Sequence, residues 1–158
     1  MIQSAQCDYD SPLGRLRLVS NGRALIELRM DAEGLPPVAT RRSDAVLDQA
    51  VQQLDAYFAG VGEGFTVPVA APGTDFQRRV WTALQQIDYG QTCSYGRLAA
   101  QLGRPTASRA VGMANGRNPI AIIVPCHRVI GADGRLTGYA GGLDRKRWLL
   151  RHEGVPVA

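Results

Sequence analysis

The sequence predicts an α/β N-terminal half, a small antiparallel sheet with one covering helix, followed by a mostly α-helical C-terminal half. Three observations predict it. Asn21-Gly22 separates two runs of β-type residues, a hairpin signal. From Asp44 to Ala59, Leu47, Ala50, Val51, Leu54 and Phe58 recur on one helical face. Beyond the linker-like Val69-Ala70-Ala71-Pro72-Gly73, the capping residues Thr74, Ser94 and Thr106 each open a helical pattern. The division falls between residues 1–70 and 71–158.

In chain order, Arg15 to Val19 alternates charged and apolar residues, and Ala24 to Leu28 answers it across the Asn-Gly turn. Asp31 to Ser43, with Gly34, Pro36 and Pro37, reads as a loop. The long helix follows, ending before Gly60, and Phe65, Val67 and Val69 alternate as a third strand. This half carries no obvious catalytic set and reads as a scaffold. Thr74 with Gln77 forms a capping box, opening a helix that buries Phe76, Val80, Leu84 and Ile87 and stops at Tyr89-Gly90. Ser94 caps a short helix, Tyr95 to Leu102, closed by Gly103. Thr106 caps the next, Ala107 to Asn115, stopped by Gly116. Two short helices joined by a Gly-containing turn have a helix-turn-helix outline. The second is built of small residues, with Arg109 its one long polar side chain near the start; tight packing inside the domain fits as well. Gly131 to Gly142 is a Gly-rich loop, suited to close approach to a ligand. Asp144 to His152 forms the last helix, with Trp148, Leu149 and Leu150 facing inward. Glu153 then sits where the helix dipole disfavours a carboxylate, so it needs a specific partner unless solvent holds it.

Composition narrows the classes. With 158 residues, 45% hydrophobic and 20% charged, the chain can bury a core. No apolar run approaches the roughly 18 residues of a membrane span. Met1 to Gln6 lacks the basic start and apolar block of a signal peptide, which reads as cytoplasmic. Cys7, Cys93 and Cys126 lie far apart without a C-x-x-C pair, and His127 and His152 are the two histidines. That set argues against a disulfide framework, a cysteine-rich zinc site and a metal enzyme. Residues 1–70 carry a net charge of −3 and residues 71–158 a net charge of +7, nearly all of it arginine, with Lys146 the one lysine. A concentrated positive balance suits a polyanion partner, or else a solvated basic face.

The chemistry gathers at Ile122 to Ile130, where Cys126, His127 and Arg128 interrupt apolar runs that read as buried. A thiol near neutral pH is mostly protonated and needs a base or a positive field to become a nucleophile. His127 is the candidate base, and Pro125, unable to continue a central strand, turns the backbone there. An inert core cysteine would also fit such a run.

Pro125-Cys126-His127-Arg128-Val129, preceded by Asn118-Pro119-Ile120 and followed by Tyr139-Ala140-Gly141-Gly142, resembles the signature of the O6-alkylguanine-DNA alkyltransferases, the methylated-DNA–protein-cysteine methyltransferases. The resemblance runs from about Gly73 to Gly154; the first half is similar more loosely. It implies a ribonuclease H-like N-terminal domain and a winged helix-turn-helix-like C-terminal domain carrying the active site. It implies that Cys126 takes the alkyl group of O6-alkylguanine, and of O4-alkylthymine, once and irreversibly. His127 would take the thiol proton through a water, Glu153 would orient His127, Asn118 would brace the turn, and Tyr95 would donate towards the guanine. Tyr95, Val129, Tyr139, Ala140 and Gly141 would line the pocket. Ser94, Tyr95, Ala107, Arg109, Ala110 and Gly112 would meet double-stranded DNA in the minor groove with little sequence specificity, Arg109 filling the space of the flipped base. The protein would act as a monomer, with cooperative assembly on DNA open, and would need no cofactor, metal or membrane.

Three rival readings share some of these features. A cysteine hydrolase would turn over an ester or peptide. A damage-sensing DNA-binding protein would bind without a covalent mark. A thiol redox sensor would pair Cys126 with Cys7 or Cys93, two cysteines with no base beside them that otherwise read as structural.

Overall fold

The computed structural model describes residues 4–38, 43–62 and 64–157. The chain forms two compact units, Met1–Pro72 with Pro119–Ala121, and Gly73–Asn118 with Ile122–Ala158.

The first unit is a three-stranded antiparallel sheet in the order β1 (Ala5–Ser11), β2 (Gly14–Ser20), β3 (Leu25–Arg29), with helix α1 (Ala45–Phe58) against it. Alternation puts Leu16, Leu18 and Ser20 of β2 inward, beside Ala5 and Cys7 of β1 and Leu25 and Leu28 of β3. The Asn21-Gly22 turn forms as expected. Asn21 Oδ1 accepts from Arg23 N and Ala24 N at 2.9 Å each, and Gly22 takes φ 91°. Asp44 caps α1 through Leu47 N at 2.8 Å and accepts from the Ser20 hydroxyl at 2.8 Å, fastening the helix to the sheet. Tyr57, rather than Phe58, completes the buried face of α1.

One strand was not foreseen, and one expected strand fails to form. Strand β1 was not anticipated, because its outward positions carry Gln6, Asp8 and Asp10 and break up the apolar signal. The strand expected over Phe65–Val69 reduces to one bridge, Leu25 to Val69. Pro68 has no N–H to continue a ladder, and Thr66 N and Val67 N turn instead to Gln53 Oε1 of α1, at 3.0 and 3.1 Å. The expected loop after Asp31 contains a short 3-10 turn, Ala32–Gly34; residues 39–42 lie outside the described residues. Pro119–Ala121 returns to β3, with Leu28 N donating to Pro119 O at 2.9 Å.

The second unit contains α2 (Asp75–Leu84), β4 (Cys93–Ser94), α3 (Tyr95–Gln101), α4 (Ser108–Gly116), β5 (Val129–Ile130) and α5 (Leu143–His152). The Thr74–Gln77 capping box is present in both directions. Helix α2 ends at Leu84, earlier than Tyr89, its chain tightening into successive turns through Ile87. Val80, Trp81 and Leu84 are buried, and Trp81 Nε1 donates to Ala114 O at 2.8 Å, pinning α2 to α4. Ser94 caps α3 through Arg97 N at 3.1 Å, and Gly103 follows it at φ 75°. Thr106 does not cap α4: Ala107 occupies that position without a side-chain bond, and the helix runs through Gly116 to Arg117. Strands β4 and β5 pair in parallel, Cys93 with Val129 and Ser94 with Ile130, so the start of the α3–α4 pair is tied to the end of the cysteine turn.

Candidate active site

The Ile122–Arg128 stretch is a compact turn that leads into strand β5 at Val129–Ile130. Ile122, fully buried, takes φ 69°, a left-handed conformation that a β-branched residue adopts only when its surroundings impose it. Cys126 N donates to Val124 O at 2.8 Å and Arg128 N to Pro125 O at 3.0 Å, closing a 3-10 turn over Cys126–Arg128. Two asparagines brace it. Asn118 Nδ2 donates to Val124 O at 2.8 Å, and Asn115 Nδ2 to Cys126 O at 3.3 Å. One turn thus carries a thiol, an imidazole and a guanidinium, all three buried.

The imidazole meets the carboxylate that follows α5: His127 Nε2 lies 2.7 Å from Glu153 Oε2, both side chains fully out of solvent. Arg128 grips the same carboxylate, Nε to Oε1 at 2.8 Å and Nη2 to Oε2 at 3.1 Å. Burial would raise the Glu153 carboxyl, but the hydrogen bonds and charges of His127 and Arg128 outweigh it and hold the group at about 2. Burial drives His127 the other way, below its ordinary value, with Arg128 and Lys146 adding to it and Glu153 opposing. We place Glu153 ionised and His127 neutral, since Arg128 is the permanent cation of the group. An ionised carboxylate only accepts, so the 2.7 Å contact puts the imidazole proton on Nε2. His127 Nδ1 then keeps its lone pair, and among the described residues no protein group bonds to it.

Burial pushes the Cys126 thiol up, offset in part by a hydrogen bond from the Asn118 side chain and by the charge of Lys146. At rest the sulfur is protonated. Lys146 was noted in the sequence only as the one lysine, yet it is fully buried. Its ammonium donates to Val129 O at 2.6 Å and Thr137 O at 2.8 Å, and burial brings its pKa to about 8 despite the nearby sulfur. Its spacing of three and four from Leu149 and Leu150 places it on the buried face of α5, a signal the sequence did contain.

The other expected residues fall as follows. Asn118 and Glu153 come together with Cys126 and His127. Tyr139 is coupled electrostatically to Cys126, and burial raises its hydroxyl well above the ordinary tyrosine range. Tyr95, first residue of α3, does not bond to the cysteine turn directly. Its hydroxyl accepts from Thr137 Oγ1 at 3.1 Å and lies 3.4 Å from Thr137 O, the carbonyl that also receives Lys146. Val129 is buried, its carbonyl taken by Lys146; Ala140 is exposed, and Gly141 O accepts from Arg145 Nη1 at 3.1 Å. Arg109 and Ala110 lie on the exposed side of α4, and Gly112 sits against the Tyr95 ring, 3.6 Å from where a Cβ would stand. The Ser94 hydroxyl is engaged as a helix cap, and Ala107 is the cap residue just before α4. Cys7 and Cys93 are buried, and none of the three cysteines is in a disulfide. Among the described residues no three His, Cys, Asp or Glu side chains group as for a metal, and no helix is long and apolar enough to cross a membrane.

The chain is similar to known proteins over most of its length. Residues 75–155 match the 6-O-methylguanine DNA methyltransferase DNA binding domain, and residues 8–71 match the ribonuclease-like domain of the same family. A methylated-DNA–protein-cysteine methyltransferase of Mycobacterium bovis is 56% identical over 146 residues, covering 91% of this chain and 88% of that protein. One from Methanosarcina acetivorans is 48% identical over 149 residues, covering 92% and 96%. The crystal structure of Mycobacterium tuberculosis OGT in complex with DNA superposes with a TM-score of 0.85 at 52% identity, covering 96% of this chain and 95% of that one. The two matches lie one after the other along the chain, a ribonuclease-like domain followed by a DNA binding domain. The chain belongs to the 6-O-methylguanine DNA methyltransferases, the methylated-DNA–protein-cysteine methyltransferase family.

Proposed function

We propose that this protein repairs duplex DNA by taking the alkyl group of O6-alkylguanine onto Cys126, one group per molecule. The observation that carries the reading is the buried Cys126 beside His127, whose Nε2 is tied to Glu153 at 2.7 Å and whose Nδ1 is left as an acceptor. The thiol proton passes to His127 Nδ1 through a water, and the charge of Lys146 favours the thiolate that remains. Sulfur attacks the saturated carbon on O6; the S–C bond forms as the C–O6 bond breaks. The departing guanine needs a proton, which the Tyr95 hydroxyl supplies once it leaves Thr137. The product is a thioether with no hydrolytic exit, so each molecule reacts once. Asn118 holds the turn while Val129, Tyr139, Ala140 and Gly141 shape the pocket. The base reaches the pocket by rotating out of the stack, at a cost of about a few kcal/mol, with the α4 face carrying Arg109, Ala110 and Gly112 laid in the minor groove.

The test is intact-protein mass after incubation with a duplex carrying one O6-methylguanine, with Cys126→Ser as control. The expected result is one added methyl group at Cys126, stopping at one per protein. Tight binding with no mass gain would transfer the assignment to a damage-sensing DNA-binding protein.

A further inference from the structure

Within this site one member of the cysteine turn has no place in the proton path, although its contacts are more extensive than those of the histidine. Arg128 donates to both oxygens of Glu153, and its third nitrogen, Nη1, donates to Ile87 O at 2.5 Å. Its guanidinium also lies 5.9 Å from the centre of the Tyr89 ring. The carboxylate is held from the other side by Gly90 N, 3.3 Å from Oε1. Gly90 takes φ 78°, and a Cβ there would come 3.1 Å from Glu153 O. So the post-α2 loop, the cysteine turn and the end of α5 converge on one carboxylate, and the guanidinium is fixed at all three nitrogens.

We infer that Arg128 is a positioning residue of the reaction: its grip on Glu153 keeps that carboxylate ionised and so confines His127 to the tautomer whose Nδ1 can take a proton. The inference rests on the reading of Cys126 as nucleophile and His127 as its base. The titratable and charged groups around the carboxylate are Cys126, His127 and Arg128 from the turn, Tyr89 from the loop after α2, Lys146 from α5 and Tyr139 from the Gly-rich loop. With Arg128 in place, carboxylate and guanidinium balance and the imidazole stays neutral, carrying one proton on Nε2. Without it, a buried anion would face an imidazole with no fixed cation at either oxygen. Lys146 is committed to two carbonyl oxygens. The low-cost response is uptake of one proton from solvent by the His127–Glu153 pair. Either the carboxyl becomes an acid donating to Nε2, which places the imidazole proton on Nδ1, or the imidazole becomes a cation protonated on both nitrogens. Both states occupy Nδ1 and remove the base.

The experiment reads the imidazole and the thiol separately. Two-bond proton–nitrogen NMR of His127 and the rate of Cys126 alkylation by iodoacetamide, followed by intact mass, are measured from about pH 6 to about pH 9. The proteins are the unaltered chain, Arg128→Met and Arg128→Lys; with two histidines in the sequence, His152→Gln assigns the spectrum. The unaltered protein is expected to keep Nδ1 unprotonated throughout. Arg128→Met is expected to carry a proton on Nδ1 at the low end and lose it as pH rises. Its alkylation rate relative to the unaltered chain should fall about tenfold at the low end, the effect of one pKa unit, and recover at the high end. Arg128→Lys, which keeps the cation and loses the fork, should lie between, and it decides by the same readouts if Arg128→Met does not fold. A loss equal at every pH with Nδ1 still unprotonated, or no loss, would overturn the inference and leave Arg128 a packing residue. Since iodoacetamide needs no DNA, failure of the unaltered protein to take methyl from a damaged duplex would sink the repair reading while leaving this question decided on its own.

Discussion

At the residue scale, His127 and Glu153 make the fold acid-sensitive in two steps. His127 has a native pKa below its unfolded value of 6.5, so between those values the unfolded chain binds the extra proton and stability falls as pH drops below about 6.5. Glu153 is depressed from 4.5 to about 2; its contribution is complete above about pH 4.5 and is lost as pH falls towards 2. Asp8, lowered by its hydrogen bond to Arg17, adds in the same acid window, so the difference between chains is the informative quantity. Urea unfolding from about pH 7 to about pH 3 should show both declines, and Glu153→Gln should lose the lower one. Identical acid limbs in the two chains would mean that Glu153 is not held as an ion in the native state.

At the element scale, legibility depended on whether the deciding partner was local. The α2 capping box, Thr74 with Gln77, and the Asn21-Gly22 turn satisfy backbone groups within three residues, and the structure has them as expected, whereas the equally local Asp44 cap of α1 was not anticipated. The Phe65–Val69 strand failed because its hydrogen bonds go to Gln53, more than a dozen residues away. Of the site, Cys126, His127, Asn118 and Glu153 could be named from the motif. The spacing of Lys146 on α5 marked it as inward-facing, but its contacts and the fork of Arg128 could not be named, because their partners, Val129 O, Thr137 O and the Glu153 oxygens, are set by how α5 docks on the turn. Helix α4 carries the prediction at this scale. Its exposed face presents Arg109 among small residues, and a side chain that fills the space of a flipped base matters only when there is a stack to leave. Arg109→Ala should slow alkyl transfer from duplex DNA at least tenfold while changing reaction with free O6-benzylguanine less than about twofold, a separation of more than about 1 kcal/mol. Single-turnover rates on both substrates check it, and equal losses would remove Arg109 from that role.

At the scale of the whole molecule, the +7 of residues 71–158 overstates what DNA could meet. Arg128 and Lys146 are buried in the site, and Arg78, Arg135 and Arg147 pair with Asp75, Asp133 and Asp144. Of the cations left, Arg97, Arg104, Arg109 and Arg117 lie on α3, on α4 or in the turns directly after them, exposed, with no carboxylate paired to them among the described residues; Arg104 lies over the Phe76 ring. If those four each neutralise one phosphate of duplex DNA, log affinity should fall with log salt at a slope of about −3.6, or roughly 150-fold between roughly 50 and 200 mM. Fluorescence anisotropy of an undamaged labelled duplex across that range measures the slope. Replacing the four arginines by glutamine should flatten it, whereas Arg78→Gln with Arg135→Gln should not, because those charges are already neutralised by their own neighbours. A slope that follows total net charge rather than these four positions would mean that DNA is held by the diffuse field of the basic half and not by the α3–α4 face.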